Sequence, residues 1–414
     1  MRVLAGKAAE RAVTKLEGRA SRLDEAEPAV RRIVRAVRKG GDKALVRYVT
    51  LWDKLPADAP LKVSATEMEQ AWKATPAETR EALRRAAANI RRFANWQVPH
   101  SWRKKISGGE LGQIVRPLKS VGCYVPGGRY PLPSTLLMTA IPAQVAGVER
   151  IVVVSPRPQV AMLAAAYLLG IAEVYRCGGA QAIAALAYGT ETIERVDKIV
   201  GPGNAYVTAA KKLVSFDCAI DMLAGPTEAV IYSESGNAEF IAWDLTEQAE
   251  HDPDAVVVFI SKNVALVKSV VEQVKRAVKG NAIAAKAVKR SGQALVAASR
   301  EQAMQWVNRI AAEHLTVDDD GCVPEVCSAG SIFVGDYSPQ PAGDYAAGPN
   351  HVLPTAGAAR FRGGLSAADF VKVITVQKFF REGLRGIEPV VTRLAETEGL
   401  RAHAQAVRVR CGDA

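Results

Sequence analysis

The chain has 414 residues, 49% of them hydrophobic and 23% charged. That composition excludes a disordered or fibrous protein, and the length exceeds one ordinary core, so two or three domains of roughly 150 residues each are expected. The net charge of +11 comes from Lys and Arg scattered over the whole length, with short clusters only at 31–39 and 103–105; solvated helix faces account for it, as does a field that attracts an anionic dinucleotide, and without a binding motif beside it no nucleic-acid partner is expected.

Residues 1–100 read as helices. Apolar residues recur at helical spacing over 29–37 and 64–72, Pro28 suits a helix's opening position, and Pro76 followed by Glu78 starts another helix that runs to about Trp96. A short β-like segment follows at 112–117. From Ser120 the pattern changes. The β-branched run Ile151-Val-Val-Val-Ser155 precedes an alanine-rich helix over 160–169, then a strand at 173–176, a helix over 181–187 and a strand at 198–200 that runs into Gly201. A second alternation takes strands at 229–233, 255–261 and 294–298, with helices over 239–250, 264–278 and 301–312. Strands alternating with helices predict parallel sheets, hence two α/β units. Residues 366–406 read as helices again.

Six cysteines, Cys123, Cys177, Cys218, Cys322, Cys327 and Cys411, form no C-x-x-C pair and read as free thiols of a reducing compartment. Residues 1–16 lack the apolar core of a signal peptide, and no run of eighteen apolar residues occurs. A soluble, cytoplasmic protein without membrane contact is expected.

Only five histidines occur, and four stand beside acids or amides. They are His251 in Glu247-Gln-Ala-Glu-His251, His314 after Glu313, His351 closing Asp344-Tyr-Ala-Ala-Gly-Pro-Asn350-His351, and His403 after Glu398-Gly-Leu-Arg-Ala. His100, after Pro99 in a Trp-rich stretch, reads as structural. Gln248 and His251 share a helix face and could offer oxygen and nitrogen to a divalent metal, although a surface helix yields the same spacing by chance. Asp344 and His403 could complete four ligands. Glu313 and His314 read as the end of a helix before strand-like 315–317, where both could point into one cleft as general bases, or His314 could simply favour a helix C-terminus. Gly201-Pro-Gly-Asn204 follows a strand and opens a helix, a place where backbone can approach a phosphate. It is not the G-x-G-x-x-G fingerprint, because position 206 is Tyr. With the turns Tyr124-Val-Pro-Gly-Gly128 and Gly178-Gly-Ala-Gln181, it favours a ligand cleft at the strand ends.

The strings YVPGGRYPLPSTLLM, GGAQAIAALAYGT, VGPGNAYVTAAK, AGPTE, QAEHDPDA, EHL, SAGSIFVGDYSP, AGDYAAGPNHVLPT and ETEGLRAH, in this order, resemble the histidinol dehydrogenase family from about Ser120 to the C-terminus, and more loosely before it. The resemblance implies two incomplete Rossmann-like α/β domains with helical N- and C-terminal segments: 1–20 helical; 21–118 with 227–365 as the first domain; 119–226 as the second, on the cofactor side; 366–414 as a C-terminal dimerisation segment. It implies NAD and Zn2+ as cofactors and L-histidinol as substrate, oxidised through the aldehyde to L-histidine in two hydride transfers. It assigns Gln248, His251, Asp344 and His403 to zinc, Glu313 and His314 to catalysis, and Tyr124, Gln181 and Asn204 to NAD. Thr227, Gln248, His251, His314, Asp344, His351, Glu398 and His403 lie toward the substrate. A homodimer is implied, with the C-terminal segment completing the partner's site. Thr227 stands where the family usually has Ser, which leaves another polar alcohol, such as a sulfonated diol, as the alternative substrate.

Overall fold

The computed structural model describes residues 1–19, 23–56, 58–127 and 131–412. Gly128, which ends the Tyr124 turn, and the expected boundary at 20/21 lie outside them. The two α/β alternations form two all-parallel sheets. One has five strands in the order Glu173–Tyr175, Arg150–Val154, Ser120–Tyr124, Lys198–Val200, Ala219–Ile220. The other has six, in the order Arg2–Ala5, Gln293–Val296, Val256–Ser261, Glu228–Tyr232, His314–Val317, Ser331–Val334. Counted from its own first strand, each runs 3-2-1-4-5, the Rossmann order short of its sixth strand. The six-stranded sheet gains Arg2–Ala5 at its edge instead. Their central strands are buried β-branched runs: Val152, Val153 and Val154 in one, Val257, Val258, Phe259 and Ile260 in the other.

Three elements differ from the expectation. Residues 2–5 are a strand, because the edge of Gln293–Val296 offers them parallel pairing that no local signal announces. Pro28 sits inside the helix Leu23–Tyr48, which begins a turn earlier. Residues 371–379 are an extended strand, paired antiparallel with Gly109–Pro117 over its whole length, and Trp102–Ile106 completes that three-stranded ribbon. Only then come the helices Arg381–Thr397 and Arg401–Cys411, packed on each other. The helices of 23–96, grouped from the sequence with 227–365, bury Val30, Val34, Leu45, Met68, Leu83 and Ile90 in the two cores around the five-stranded sheet.

One buried ion pair ties the five-stranded sheet to its ligand-facing turn. Lys211 and Asp221 have side chains 2% and 0% exposed and bond to each other. Both also hold Gly201: its N–H donates to Asp221 Oδ2 at 2.7 Å, and its carbonyl accepts from Lys211 Nζ at 3.0 Å. Gly201 has φ +115°, and a Cβ there would lie 2.2 Å from the Tyr124 carbonyl oxygen, so only glycine fits. Lys211→Met should cost about 3–5 kcal/mol in denaturant melts, because it strands a buried carboxylate, whereas Lys211→Met with Asp221→Leu should recover most of that loss. A double variant no more stable than the single one would show that the pair's charge is not what matters.

Candidate active site

The site begins where two central strands of the six-stranded sheet start. The helix Arg300–Ile310 stops at Ala311, a non-glycine residue at φ +51°, and the chain turns straight into the strand His314–Val317. Glu313 and His314 therefore open a strand; they do not end a helix as the sequence suggested. The turn is held from outside: the Arg19 guanidinium donates to the Ile310 carbonyl at 2.8 Å and pairs with the buried Glu228 carboxylate. On the neighbouring strand the Glu228 N–H donates to Glu313 Oε2 at 3.0 Å, and the Thr227 hydroxyl donates to the same oxygen at 2.5 Å. Thr227 Oγ1 in turn accepts from Gln248 Nε2. Gln248 also reaches His314 Nδ1 at 3.4 Å, while His314 Nε2 stands 3.4 Å from Asp344 Oδ1. The imidazole lies against the Phe333 ring, centroids 5.8 Å apart.

Burial decides the electrostatics here. It pushes the Glu313 carboxyl up to about 7, against the pull of His314 and the Thr227 and Glu228 donors. Burial disfavours the His314 imidazolium, but the Asp344 bond and the Glu313 charge outweigh it and raise that pKa. Burial likewise opposes ionisation of Asp344, yet His314 holds it below the usual carboxylate range. On the helix Ala238–His251, Glu247 is pushed up to about 9 by burial and by the neighbouring Asp344. The result is a buried carboxyl and imidazole side by side, His314 Nδ1 lying 3.8 Å from Glu313 Oε2, with proton affinities suited to acid–base work near neutrality.

Asn237 caps the helix Ala238–His251 by accepting from the Glu239 and Phe240 N–H groups. Gln248 faces inward, 1% exposed, and its Oε1 has no hydrogen-bond partner. His251, one turn on, is exposed, with Nδ1 donating to the Glu247 carbonyl at 3.1 Å, which leaves Nε2 outward. Asp344 lies in the short helix Gln340–Tyr345. His351 donates from Nδ1 to the Asp344 carbonyl at 2.8 Å, and burial pushes its pKa down. The charges of His351 and His251 both bear on the Asp344 carboxylate. Gln248, His251 and Asp344 thus gather as an amide oxygen, an imidazole and a carboxylate, which suits zinc. Two features match a metal: the orphaned Gln248 oxygen, and an imidazole whose second nitrogen is held by a carbonyl. Among the described residues no group of three or more His, Cys, Asp and Glu side chains is placed to hold a metal, and of the three gathered here only His251 and Asp344 are of those types.

The remaining residues fall in two other places. Tyr124, Gln181 and Asn204 line one cavity of about 620 Å³ at the carboxyl ends of the five-stranded sheet's strands, beside the switch between Ser120–Tyr124 and Lys198–Val200. Asn204 caps the helix Ala205–Val214, accepting from Tyr206 and Val207 N–H, and the Tyr124 hydroxyl accepts from Gly179 N–H at 3.1 Å. At the carboxyl ends of the six-stranded sheet the protein's own carboxylates take loop N–H groups: Asp318 Oδ2 accepts from Glu234 N–H at 2.6 Å, and Glu234 Oε1 accepts from Lys262 N–H at 3.0 Å. Glu398 and His403 are exposed on the C-terminal helices and are not brought to the other site residues within this chain.

Sequence reading missed the cavity's other walls. Asp53 ends the π-helical turn Val49–Asp53; burial raises its pKa, while Gly178 N–H donates to its Oδ2 at 2.9 Å and the Gln181 amide at 3.4 Å. Trp52, stacked on Tyr48 with centroids 4.8 Å apart, and the exposed Arg32 and Arg157 also line it. None belongs to a motif. Only the basic composition hinted at cations near an anionic ligand.

A family model described as histidinol dehydrogenase matches residues 16–411. A histidinol dehydrogenase of Methanothermobacter thermautotrophicus is 46% identical over 407 residues, covering 94% of this chain and 95% of the relative. One of Syntrophotalea carbinolica is 45% identical over 403 residues, covering 94% and 93%. The crystal structure of histidinol dehydrogenase from Elizabethkingia anophelis superposes with a TM-score of 0.93 at 36% identity, covering 99% of this chain and 98% of that one. Matched in sequence and in fold over nearly its whole length, the chain belongs to the histidinol dehydrogenase family.

Proposed function

We propose that the chain oxidises L-histidinol through L-histidinal to L-histidine with NAD, in the cytoplasm, as a homodimer that holds zinc. The observation that carries this reading is the buried Glu313–His314 pair beside Thr227, Gln248 and Asp344. Bound NAD would supply the hydride acceptor for each oxidation, and zinc would supply a Lewis-acid hold on the substrate. In the first oxidation His314 takes the hydroxyl proton, and its imidazolium rests between the Asp344 and Glu313 carboxylates. Glu313, fixed by Thr227 and the Glu228 N–H, then takes a proton from the water that adds to the aldehyde. Gln248 Oε1, His251 Nε2 and the Asp344 carboxylate would hold zinc, while His351 and Glu398 would line the substrate's polar end. Tyr124, Gln181 and Asn204 border the cleft for NAD. The sulfonated-diol alternative finds no support: Thr227 makes with its hydroxyl both bonds that a serine could make, and the relatives named above are all histidinol dehydrogenases.

Dialysis against a chelator should abolish activity and zinc should restore it. Full activity in a verified metal-free sample would refute the zinc reading.

The two bases should fail differently. His314→Ala should slow histidinol oxidation, and Glu313→Gln should chiefly slow conversion of supplied histidinal, each by about 10²–10⁴-fold in kcat. Stopped-flow traces of NADH formation on both substrates separate the steps; variants that match the wild type on both would remove these roles.

His403 completes the metal set only if it comes from another copy. The C-terminal helices leave Val390 and Leu394 61% and 58% exposed, an apolar face suited to a second chain. If His403 of the partner subunit joins Gln248, His251 and Asp344, mixing inactive His403→Ala and His251→Ala chains under subunit exchange should restore about a quarter of wild-type activity, since half the dimers are mixed and each has one intact site of two. No recovery despite proven exchange would place each site within one chain.

A further inference from the structure

In sheets of this order the diphosphate of a dinucleotide ordinarily docks at a helix N-terminus, where free N–H groups and the helix dipole meet its charge. Two helix N-termini border the 620 Å³ cavity, and side chains of this protein already cap both. At Gly179–Tyr188, Gly178 N–H donates to Asp53 Oδ2 at 2.9 Å and Gly179 N–H to the Tyr124 hydroxyl at 3.1 Å. Asp53, 8% exposed, is thus the chain's own anion in the usual place of a phosphate. Close approach is blocked as well: a Cβ on Gly178 would stand 2.5 Å from the Pro156 ring, so that ring covers the turn. At Ala205–Val214, Asn204 Oδ1 accepts from Tyr206 and Val207 N–H at 3.0 and 3.1 Å.

Cations border the same cavity. Arg32 projects from the helix Leu23–Tyr48 and Arg157 from the turn after the strand Arg150–Val154, and both are exposed. Neither guanidinium has a hydrogen bond or salt bridge among the described residues. Arg157 sits at φ +59°, a conformation that L residues rarely adopt and that gathers at ligand sites. A diphosphate carries two charges and planar sets of oxygens, which two guanidinium forks match. The Trp52 ring beside them, backed by Tyr48, offers a flat face to a base.

Resting on the reading of this cleft as the dinucleotide site, we propose that Arg32 and Arg157 bind the diphosphate, in place of the helix N-termini that Asp53, Tyr124 and Asn204 occupy. The assignment concerns side chains on the surface, so their removal spares the core. NADH binding to the full-length, zinc-loaded protein, followed by fluorescence at low and high NaCl, tests it. In Arg32→Gln/Arg157→Gln the Kd should rise about tenfold or more at low salt, and its salt dependence should flatten, because two charged contacts are gone. Thermal melts should match the wild type. A double variant with the wild-type Kd and salt dependence would overturn the assignment, as would a weaker Kd with undiminished salt dependence. Gln181→Leu, in the same cleft, separates the two readings. If it weakens NADH while the arginine variant does not, only the diphosphate assignment falls; if neither does, the cleft is not the dinucleotide site.

Discussion

A hydroxyl has one proton to donate and two lone pairs to receive, and at the half-buried Thr227 both functions are in use. Its proton goes to Glu313 Oε2, and its oxygen receives the Gln248 amide. These two bonds set the whole candidate site. The first fixes the carboxylate beside the His314 ring. The second decides which end of the Gln248 amide faces the bonded network, so its oxygen is left buried and unpaired. An orphaned buried acceptor is costly unless something supplies a positive partner, and a cation beside His251 and Asp344 would do so. The methyl that distinguishes Thr227 from serine changes neither bond.

The two sheets have one strand order and use it at opposite ends. In the five-stranded sheet the carboxyl ends open onto the large cavity at the switch point, as strand order alone predicts. In the six-stranded sheet the carboxylates of Asp318 and Glu234 take loop N–H groups at the corresponding ends. Its acid–base pair lies instead at the amino ends, where Thr227, Glu313 and His314 stand just before or at the start of their strands. Strand-end rules therefore locate one site and misplace the other, because loops and capping side chains, not strand order, decide whether a crevice stays open.

Local patterning made most of this architecture legible. Most strands of the two α/β alternations were marked by a β-branched run or a turn glycine, and most helices between them by apolar spacing; the strands Ser120–Tyr124, Ala219–Ile220 and Ser331–Val334 and the helices Pro133–Ala146 and Ala282–Ser291 were not marked out. Two further strands escaped, for related reasons. Arg2–Ala5 is too short to show a period and is made by a partner 291 positions away. In Val371–Phe379 the apolar pairs Val371 and Ile374, and Val373 and Val376, also fit helical spacing, and its partner at Gly109–Pro117 lies 254 to 270 positions away. The site residues were legible as long motifs. Their meeting was not, because Thr227, Gln248, Glu313 and Asp344 converge only through the sheet. Asp53 carries no motif at all; only the fold brings it to the opening amides of Gly179–Tyr188.

Buried ion pairs add little stability over a well-packed apolar pair, so their placement needs another reason. Among the described residues, two buried pairs of an Arg or Lys with a carboxylate act on a turn that leads into a functional segment. Arg19–Glu228 reaches the carbonyl of Ile310, just before the left-handed Ala311 from which Glu313 and His314 emerge. Lys211–Asp221 holds both the N–H and the carbonyl of Gly201, at the start of the turn whose Asn204 and Tyr206 line the cavity. Each turn contains a residue at positive φ, which by itself has cheaper alternatives. A pair that is costly to separate, bonded to backbone on both of its sides, makes those alternatives costlier still. The charges thus act on precision: they hold two turns in one conformation, and the side chains that follow inherit their positions from them.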